Sequence, residues 1–248
     1  MKLGLEGRRA AVAAASSGLG CAIAAALSAE GAHVAICGRD ERRIRDAAAS
    51  LSAHAVPLVA DVATVAGATS FVESARDALG GIDILVTNGG GPPPGTFEST
   101  PLEEYAPALE KNLTSAVAMV QLCVPAMRAA RWGRVIAVTS IAVREPVPNL
   151  ILSNTARSGL TAFLKTLARE IAADHVTVNS LQPGLHATPR VSVVYGDGLG
   201  DQVARIPART LGSPEDFGNV AAFLCSDHAR FITGAAIPVD GGAFCGLM

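Results

Sequence analysis

The stretch RAAVAAASSGLGCAIA, residues 9–24, decides the fold. An apolar run over residues 9–15 stops at two serines and restarts after two glycines. We interpret it as a strand, a tight turn and a helix, because glycine lets the chain bend sharply without a Cβ in the way. Free N–H groups at the start of the helix, together with its dipole, would bind a phosphate or pyrophosphate. The residues expected at this site are Ser16, Ser17, Gly18, Leu19 and Gly20.

The turn alone is a weak signal, since an ordinary strand-to-helix turn packed with small residues gives the same pattern. The usual dinucleotide fingerprint has three glycines, and here the first is replaced by Ala14. An alanine can keep the turn if its φ stays negative, but its methyl group narrows the approach to a pyrophosphate.

Composition limits the classes of partner and compartment. The chain has 248 residues, half of them hydrophobic, and a net charge of -2, which favours one domain over residues 1–248 and excludes nucleic acid and anionic membranes as partners. The five cysteines form no C-x-x-C pair and the histidines are scattered, so we expect reduced thiols and no metal. The N-terminal apolar run is short and broken, which predicts neither a signal peptide nor a membrane span and indicates a cytoplasmic protein.

Strand and helix patterns alternate along the chain. Apolar strands are predicted at 32–37, 55–60, 82–86, 134–138 and 176–181, with helices at 71–79, 102–127 (containing a break) and 152–173. Nearly continuous apolar strands alternating with helices are typical of a parallel sheet covered on both faces. The sequence therefore predicts an α/β, Rossmann-like, doubly wound fold.

In such sheets, ligands bind beyond the carboxyl ends of the strands. The residues that end the predicted strands should therefore line one crevice: Ser16 to Gly20, Arg39, Asp61, Val62, Asn88, Gly89, Gly90, Ser140, Pro183 and Gly184. Residues 185–206 show no clear pattern and contain three glycines. We interpret them as a mobile substrate lid, with an irregular surface loop as the alternative.

The spacing of these strand ends resembles the short-chain dehydrogenase/reductase family over nearly the whole chain, and most of all its 3-oxoacyl-carrier-protein reductase branch. The tail, from Gly212 to Gly242, carries the most specific match. The resemblance implies that Asp61 and Val62 contact adenine, that Asn88 and Gly89 border the cofactor, that Asn112 is the family's helix asparagine, and that Pro183, Gly184 and Thr188 hold the nicotinamide amide. It also implies a homotetramer built from the two long helices and the C-terminal segment.

The catalytic motif departs from the family. Counting from Ser140, the family's tyrosine and lysine positions hold Ser153 and Arg157. A phenol beside an ammonium can exchange a proton with a substrate oxygen, whereas a serine hydroxyl lacks that acidity and an arginine keeps its proton. We expect Ser140 to polarise the substrate, Arg157 to hold a cofactor ribose and Asn112 to order a water. Alternatively, Ser140 and Ser153 are helix caps.

Charge at the end of the second strand indicates the cofactor. An acid there suits the ribose of NAD, whereas an arginine suits the 2′-phosphate of NADP. Arg39 favours NADP(H), Asp40 leaves NAD(H) as the alternative, and Arg39 with Arg42 and Arg43 could also be a solvated basic face.

The leading hypothesis is an oxidoreductase that transfers hydride between NADP(H) and a carbonyl or hydroxyl group of a small-molecule substrate, such as a 3-oxoacyl compound. The proton would come from a water held by Ser140 and Ser153, from Tyr195 or His186 in the lid, or from the substrate itself. The alternative is a non-redox isomerase, cyclase or dehydratase, or a nucleotide-binding protein, because function depends on the site and not on the fold.

Overall fold

Seven parallel strands form one sheet in the computed structural model, which describes residues 1–51 and 55–247. The strand order is β3-β2-β1-β4-β5-β6-β7, so the winding reverses between β1 and β4, where ligands bind in sheets of this type. The strands are β1 (Arg9–Val12), β2 (His33–Gly38), β3 (Val56–Val59), β4 (Ile84–Thr87), β5 (Gly133–Val138), β6 (Val176–Pro183) and β7 (Ala236–Val239). The predicted doubly wound α/β fold is confirmed.

Helices connect the strands and cover both faces of the sheet. They are α1 (Gly18–Ala29), α2 (Glu41–Ala49), α3 (Val65–Leu79), α4 (Tyr105–Leu109), α5 (Ser115–Ala130), α6 (Ile151–Ile171), α7 (Pro189–Tyr195), α8 (Leu199–Arg205) and α9 (Pro214–Cys225). A π-helical turn, Glu110–Thr114, joins α4 to α5. It is the break expected within the long helix at 102–127.

Two apolar cores flank the sheet because successive strand residues point to opposite faces. On one face, Ile84 and Val86 of β4 join side chains of α1, α2 and α9. On the other face, Leu85 joins side chains of α3, α5 and α6. This double burial explains the near-continuous apolar strands, and it leaves the carboxyl ends of the strands as the place for polar residues.

Two segments differ from the sequence-based expectation. Helix α3 begins at Val65 and not at residue 71, because the Thr64 side chain accepts a hydrogen bond from the Gly67 N–H and caps the helix. Residues 185–206, expected to be irregular, contain the short helices α7 and α8. Whether they act as a lid stays a prediction.

The helical segment Leu102–Ala130 is apolar and long enough to cross a membrane by length and composition alone. Its most apolar window has a mean hydropathy of 1.4, and 39% of that window is buried inside the protein. A helix that covers a sheet passes the same test, and α5 packs against α3 and the sheet. The finding is therefore weak evidence for a membrane span.

Candidate active site

The turn between β1 and α1 places a helix N-terminus at the point where the winding reverses. Gly18 has φ +63°, and a Cβ at Gly20 would lie 2.7 Å from the Ala14 carbonyl oxygen and 2.6 Å from Asn88 Nδ2. Ser17 is the N-cap residue, yet its side chain makes no capping hydrogen bond. Leu19 packs against the core below. The turn therefore presents the first N–H groups of α1 to the crevice, as an anion site requires.

Ala14 occupies the turn in a different conformation from the one expected. Its φ is +49°, in the left-handed region, where a Cβ crowds the following carbonyl oxygen. The turn therefore forms although the condition stated from the sequence, a negative φ at Ala14, is not met. The strained backbone is held by two hydrogen bonds, since the Ala14 carbonyl accepts from Asn88 Nδ2 at 3.1 Å and its N–H donates to Cys37 Sγ at 3.4 Å.

Three of the charged residues that follow β2, Arg39, Asp40 and Arg43, have different surroundings in the structure. Asp40 is the N-cap of α2, and its carboxylate accepts a hydrogen bond from the Arg43 N–H at 2.8 Å. Arg39 is exposed. The Arg43 guanidinium turns back to the glycine turn, where Nη2 donates to Ser17 Oγ at 3.3 Å. The sequence analysis treats Arg43 only as part of a basic face, because its contact with Ser17 joins two segments that are far apart in the sequence.

Close packing brings the ends of β1 and β2 together. A Cβ at Gly38 would lie 3.1 Å from the Ser16 Cβ, so the glycine lets the turn rest on β2.

At the end of β3, Asp61 is exposed and accepts a hydrogen bond from the Ala63 N–H at 3.1 Å, while Val62 is buried. These two residues lie where the adenine contact is predicted.

Asn88 and Asn112 fix the loop that follows β4. Asn88 Nδ2 donates to the carbonyl oxygens of Ala13 and Ala14 at 3.3 and 3.1 Å, which ties β4 to β1. Asn112 lies in the π-helical turn, and its Nδ2 donates to the Gly90 carbonyl at 3.0 Å. Its Oδ1 is buried and has no hydrogen-bond partner among the described residues.

Ser140 and Ser153 lie at the end of β5 and in the first turn of α6. Ser140 caps a short 3₁₀ turn, because its Oγ accepts a hydrogen bond from the Ala142 N–H at 3.1 Å. Ser153 is buried in the third position of α6, whose N-cap residue is Leu150. The cap interpretation is thus confirmed for Ser140 and wrong for Ser153. An acceptor role as a cap leaves the Ser140 hydroxyl proton free to be donated.

Arg157 is buried rather than solvated. Its Nη1 donates to the carbonyl oxygens of Val138 and Thr139 at 2.9 and 3.0 Å, and its Nη2 donates to the Gly89 carbonyl at 3.4 Å. The guanidinium therefore ties α6 to the loop after β4 and the end of β5. Burial first, and then the charge of Arg190, lower the pKa of Arg157 to about 10. The group keeps its positive charge at neutral pH.

The opposite wall comes from the segment after β6. Pro183 ends the strand, and a Cβ at Gly184 would lie 2.8 Å from Asp240 Cα. A Cβ at Gly18 would lie 3.6 Å from the Thr188 methyl carbon, so this segment reaches back across the crevice to α1. Gly18 at the start of α1 and Thr188 after β6, two of the predicted cofactor residues, thus lie side by side.

The two proton donors proposed from the lid differ in their surroundings. His186 is buried, contacts the Phe217 ring edge-on at 5.0 Å, and places Nδ1 3.2 Å from the Gly184 carbonyl oxygen. Burial lowers the pKa of His186, while the hydrogen bond to Gly184 opposes the shift. Tyr195 is half-buried at the end of α7. His186 is a packed residue, which weakens its candidacy.

The fold and the crevice define a dinucleotide-binding α/β protein of the doubly wound class. A family model described as enoyl-(acyl carrier protein) reductase matches residues 13–243. Among curated relatives, dehydrogenase/reductase SDR family member 4 of Oryctolagus cuniculus is 34% identical, over 96% of this chain and 94% of the relative. The 3-oxoacyl-[acyl-carrier-protein] reductase FabG of Escherichia coli (strain K12) is 33% identical, over 98% and 99%.

Solved structures agree with these relatives. L-sorbose reductase from Gluconobacter frateurii, complexed with NADPH and L-sorbose, superimposes with a TM-score of 0.94 at 33% identity, over the full length of both chains. The chain belongs to the short-chain dehydrogenase/reductase family, a family of oxidoreductases.

Proposed function

We propose that this chain transfers hydride between NADP(H) and the carbonyl or hydroxyl group of a small, 3-oxoacyl-type substrate, using a non-standard active site. The observation that carries the proposal is the buried Arg157 guanidinium, fixed by three backbone carbonyls next to Ser140. It stands at the position where the family has a lysine, and Ser153 stands at the position of the tyrosine.

The residues of the crevice fit the cofactor. The open N-terminus of α1 suits the diphosphate, and Gly20 leaves space that a Cβ would fill. Arg39 and Arg43 suit the 2′-phosphate, and the capping role of Asp40 occupies the acid that would favour NAD(H). The other assigned contacts are Ser16 and Ser17 beside the phosphates, Asp61 and Val62 at adenine, Asn88 and Gly89 along the ribose, and Pro183, Gly184 and Thr188 at the nicotinamide amide.

When bound, NADPH supplies the hydride. Ser140 donates a hydrogen bond to the substrate oxygen, and the Arg157 charge stabilises the negative charge that develops there, because a fixed cation acts strongly in a buried site. A guanidinium has five N–H groups, and in Arg157 three of them donate to backbone carbonyls. The two others are available for a ribose hydroxyl, which is the binding role that we assign to Arg157.

The proton comes from a water at Ser140 and Ser153 in this proposal. Arg157 keeps its proton at neutral pH even with its lowered pKa of about 10, so it cannot be the donor. A separate cavity of about 20 Å³, which Ser140 and Ser153 do not line, lies beside Arg157 and is bordered by Asn112, whose Oδ1 is orphaned, and by the buried Oγ1 of Thr87. It is enough for one water, which fits the role of Asn112 in ordering a water. The buried position of His186 disfavours it, while Tyr195 and an acidic group of the substrate remain alternatives.

The test is NADPH oxidation with a panel of simple ketones, sugar ketoses and 3-oxoacyl thioesters. We expect turnover above the protein-free rate for at least one class, and tighter binding of NADPH than of NADH by calorimetry. Tight NADPH binding with no turnover on any substrate would favour the non-redox alternative. Failure to bind any pyridine nucleotide would contradict the proposal altogether.

We also propose a homotetramer. Half-buried apolar side chains, such as Leu122 on α5 and Phe163 on α6, lie on the helices that the resemblance assigns to subunit contacts. Light scattering on the purified chain should give a mass of four chains. A monomeric mass at micromolar concentration would contradict this assembly.

A further inference from the structure

Two cationic side chains converge on the glycine stretch Gly89–Gly91, which follows β4. A Cβ at Gly90 would lie 3.8 Å from Lys111 Cε and 4.0 Å from its Nζ, and a Cβ at Gly91 would lie 2.6 Å from Arg190 Nη2. Lys111 comes from the π-helical turn before α5, and Arg190 comes from the first turn of α7. A Cβ at Gly91 would collide with Arg190, whereas a Cβ at Gly90 would be in ordinary contact with Lys111.

The start of α7 lies across the crevice and not beside its own strand. Strand β6, which precedes α7, is separated from β1 by β5 and β4, yet Thr188 contacts the Gly18 position and Arg190 contacts the Gly91 position. Arg190 therefore lies over the crevice, two residues after Thr188, which faces the α1 N-terminus, and against the glycine stretch that follows β4.

Positive charges accumulate at this place. The pKa of Lys111 falls below its usual value, through burial first and then through the charges of Arg39 and Arg190, and Asp61 opposes this shift. Arg190 also acts on Arg157. Like charges held together raise the free energy of the protein, and an anion bound between them would lower it.

We propose that Lys111 and Arg190 form a clamp that holds the diphosphate of the bound dinucleotide against the N-terminus of α1. The proposal rests on the cofactor assigned under the proposed function and adds two binding residues that neither the sequence motif nor the resemblance indicates. Arg39 and Arg43 remain the contacts for the 2′-phosphate. The clamp closes when α7 lies across the crevice, so Arg190 also links the lid segment to cofactor binding.

The test compares three nucleotide probes on the variants Lys111→Met and Arg190→Met, with Arg205→Met on the exposed face of α8 as the matched control. We expect each of the two variants to raise the Kd of NADPH about tenfold, because each loses a charge-assisted contact. The Kd of 2′-phospho-ADP-ribose, which keeps the diphosphate, should rise equally. Adenosine 2′-monophosphate, which lacks the diphosphate, should bind as before, and Arg205→Met should change none of the three.

Salt provides a second readout, because screening weakens charge contacts. NADPH binding to the parent protein should weaken from 50 to 500 mM salt more than binding to either variant, and Arg190→Lys should restore most of the affinity. Thermal melting of each variant checks that it is folded.

Three outcomes would overturn the clamp. The first is an unchanged NADPH affinity in both variants. If the KM for an anionic substrate then rises, the two cations bind the substrate and not the cofactor. The second is an equal loss of adenosine 2′-monophosphate binding, which would place the cations at the 2′-phosphate. The third is no NADPH binding by the parent protein, which also ends the proposed function, whereas the first two leave that function intact.

Discussion

The two ends of the crevice respond differently to departures from the family pattern. The nucleotide end is formed by the turn between β1 and α1. Ala14 stands there in place of the first glycine of the usual fingerprint, and its backbone adopts the left-handed conformation. The reaction end is formed by Ser140, Ser153 and Arg157. We propose that Ser153 and Arg157 replace a phenol and an amine, so here the chemical groups themselves change. Backbone geometry can survive a change of side chain, whereas proton transfer depends on the identity of the group. Binding should therefore be retained more fully than the chemistry.

The largest effect that would sharpen this contrast is expected at Ser140. Ser140→Ala removes the proposed donor to the substrate oxygen and should lower kcat/KM by about 100- to 1000-fold, in the range measured for single oxyanion donors. The Kd of NADPH should stay within about twofold, because Ser140 is placed at the substrate and not at the phosphates.

The matched control for Ser140→Ala is Ser74→Ala, on the exposed side of α3, which should behave like the parent protein. A change confined to NADPH affinity in Ser140→Ala would reverse the roles of the two ends of the crevice.

Arg157 tests whether the reaction end also supports the fold. Arg157→Met leaves the buried carbonyls of Val138 and Thr139 without their donor, so the free energy of unfolding should fall by about 3 kcal/mol. Chemical denaturation measures this change. Arg157→Lys should lose less, because an ammonium can still donate to one or two of the carbonyls.

If Arg157→Met leaves the free energy of unfolding unchanged, the guanidinium contributes to ligand binding and not to the stability of the fold. A cofactor Kd that rises in step with the loss of stability would instead indicate that Arg157 shapes the crevice by joining the ends of β4 and β5.

Much of this organisation could be predicted from the sequence, because strand ends in a doubly wound sheet must meet at one edge. Ser16 to Gly20, Asn88, Ser140 and Gly184 do so. The π-helical turn at Asn112 appeared in the sequence as a break in periodicity.

Contacts made across the crevice could not be predicted. Lys111 and Arg190 come to the same glycine stretch only through the path of α7 and the absence of a side chain at Gly91. His186 packs on Phe217, 31 residues later in the chain, and no local pattern indicates such a contact. The φ of Ala14 was also missed, because the hydrogen bonds that impose it come from Asn88 and Cys37.

A smaller effect is expected at Arg43, where the nucleotide end should discriminate between cofactors. Arg43→Met removes the guanidinium that reaches Ser17 and should raise the Kd of NADPH about tenfold, the loss typical of one charged hydrogen bond. The Kd of NADH should not change, since NADH has no 2′-phosphate. Arg42→Met, one residue earlier on the exposed side of α2, is the control, and an equal loss of both cofactors in Arg43→Met would contradict the assignment.

The smallest expected effect concerns Ala14, whose substitution acts on the backbone alone. Ala14→Gly relieves a left-handed conformation that is unfavourable for residues with a Cβ, and it should raise the free energy of unfolding by about 1 kcal/mol. It also removes the methyl group that we expect to narrow the approach to the phosphate site, so NADPH should bind somewhat more tightly.

Ala15→Gly is the matched control, and we expect it to lower the free energy of unfolding. Ala15 is fully buried and does not have a positive φ, so its substitution loses packing and increases the entropy of the unfolded chain, which destabilises the protein. Denaturation curves of the two variants, measured side by side, separate these causes. If both substitutions lower stability, the strain at Ala14 is offset by contacts of its methyl group, and the turn has adapted to alanine more fully than its φ indicates.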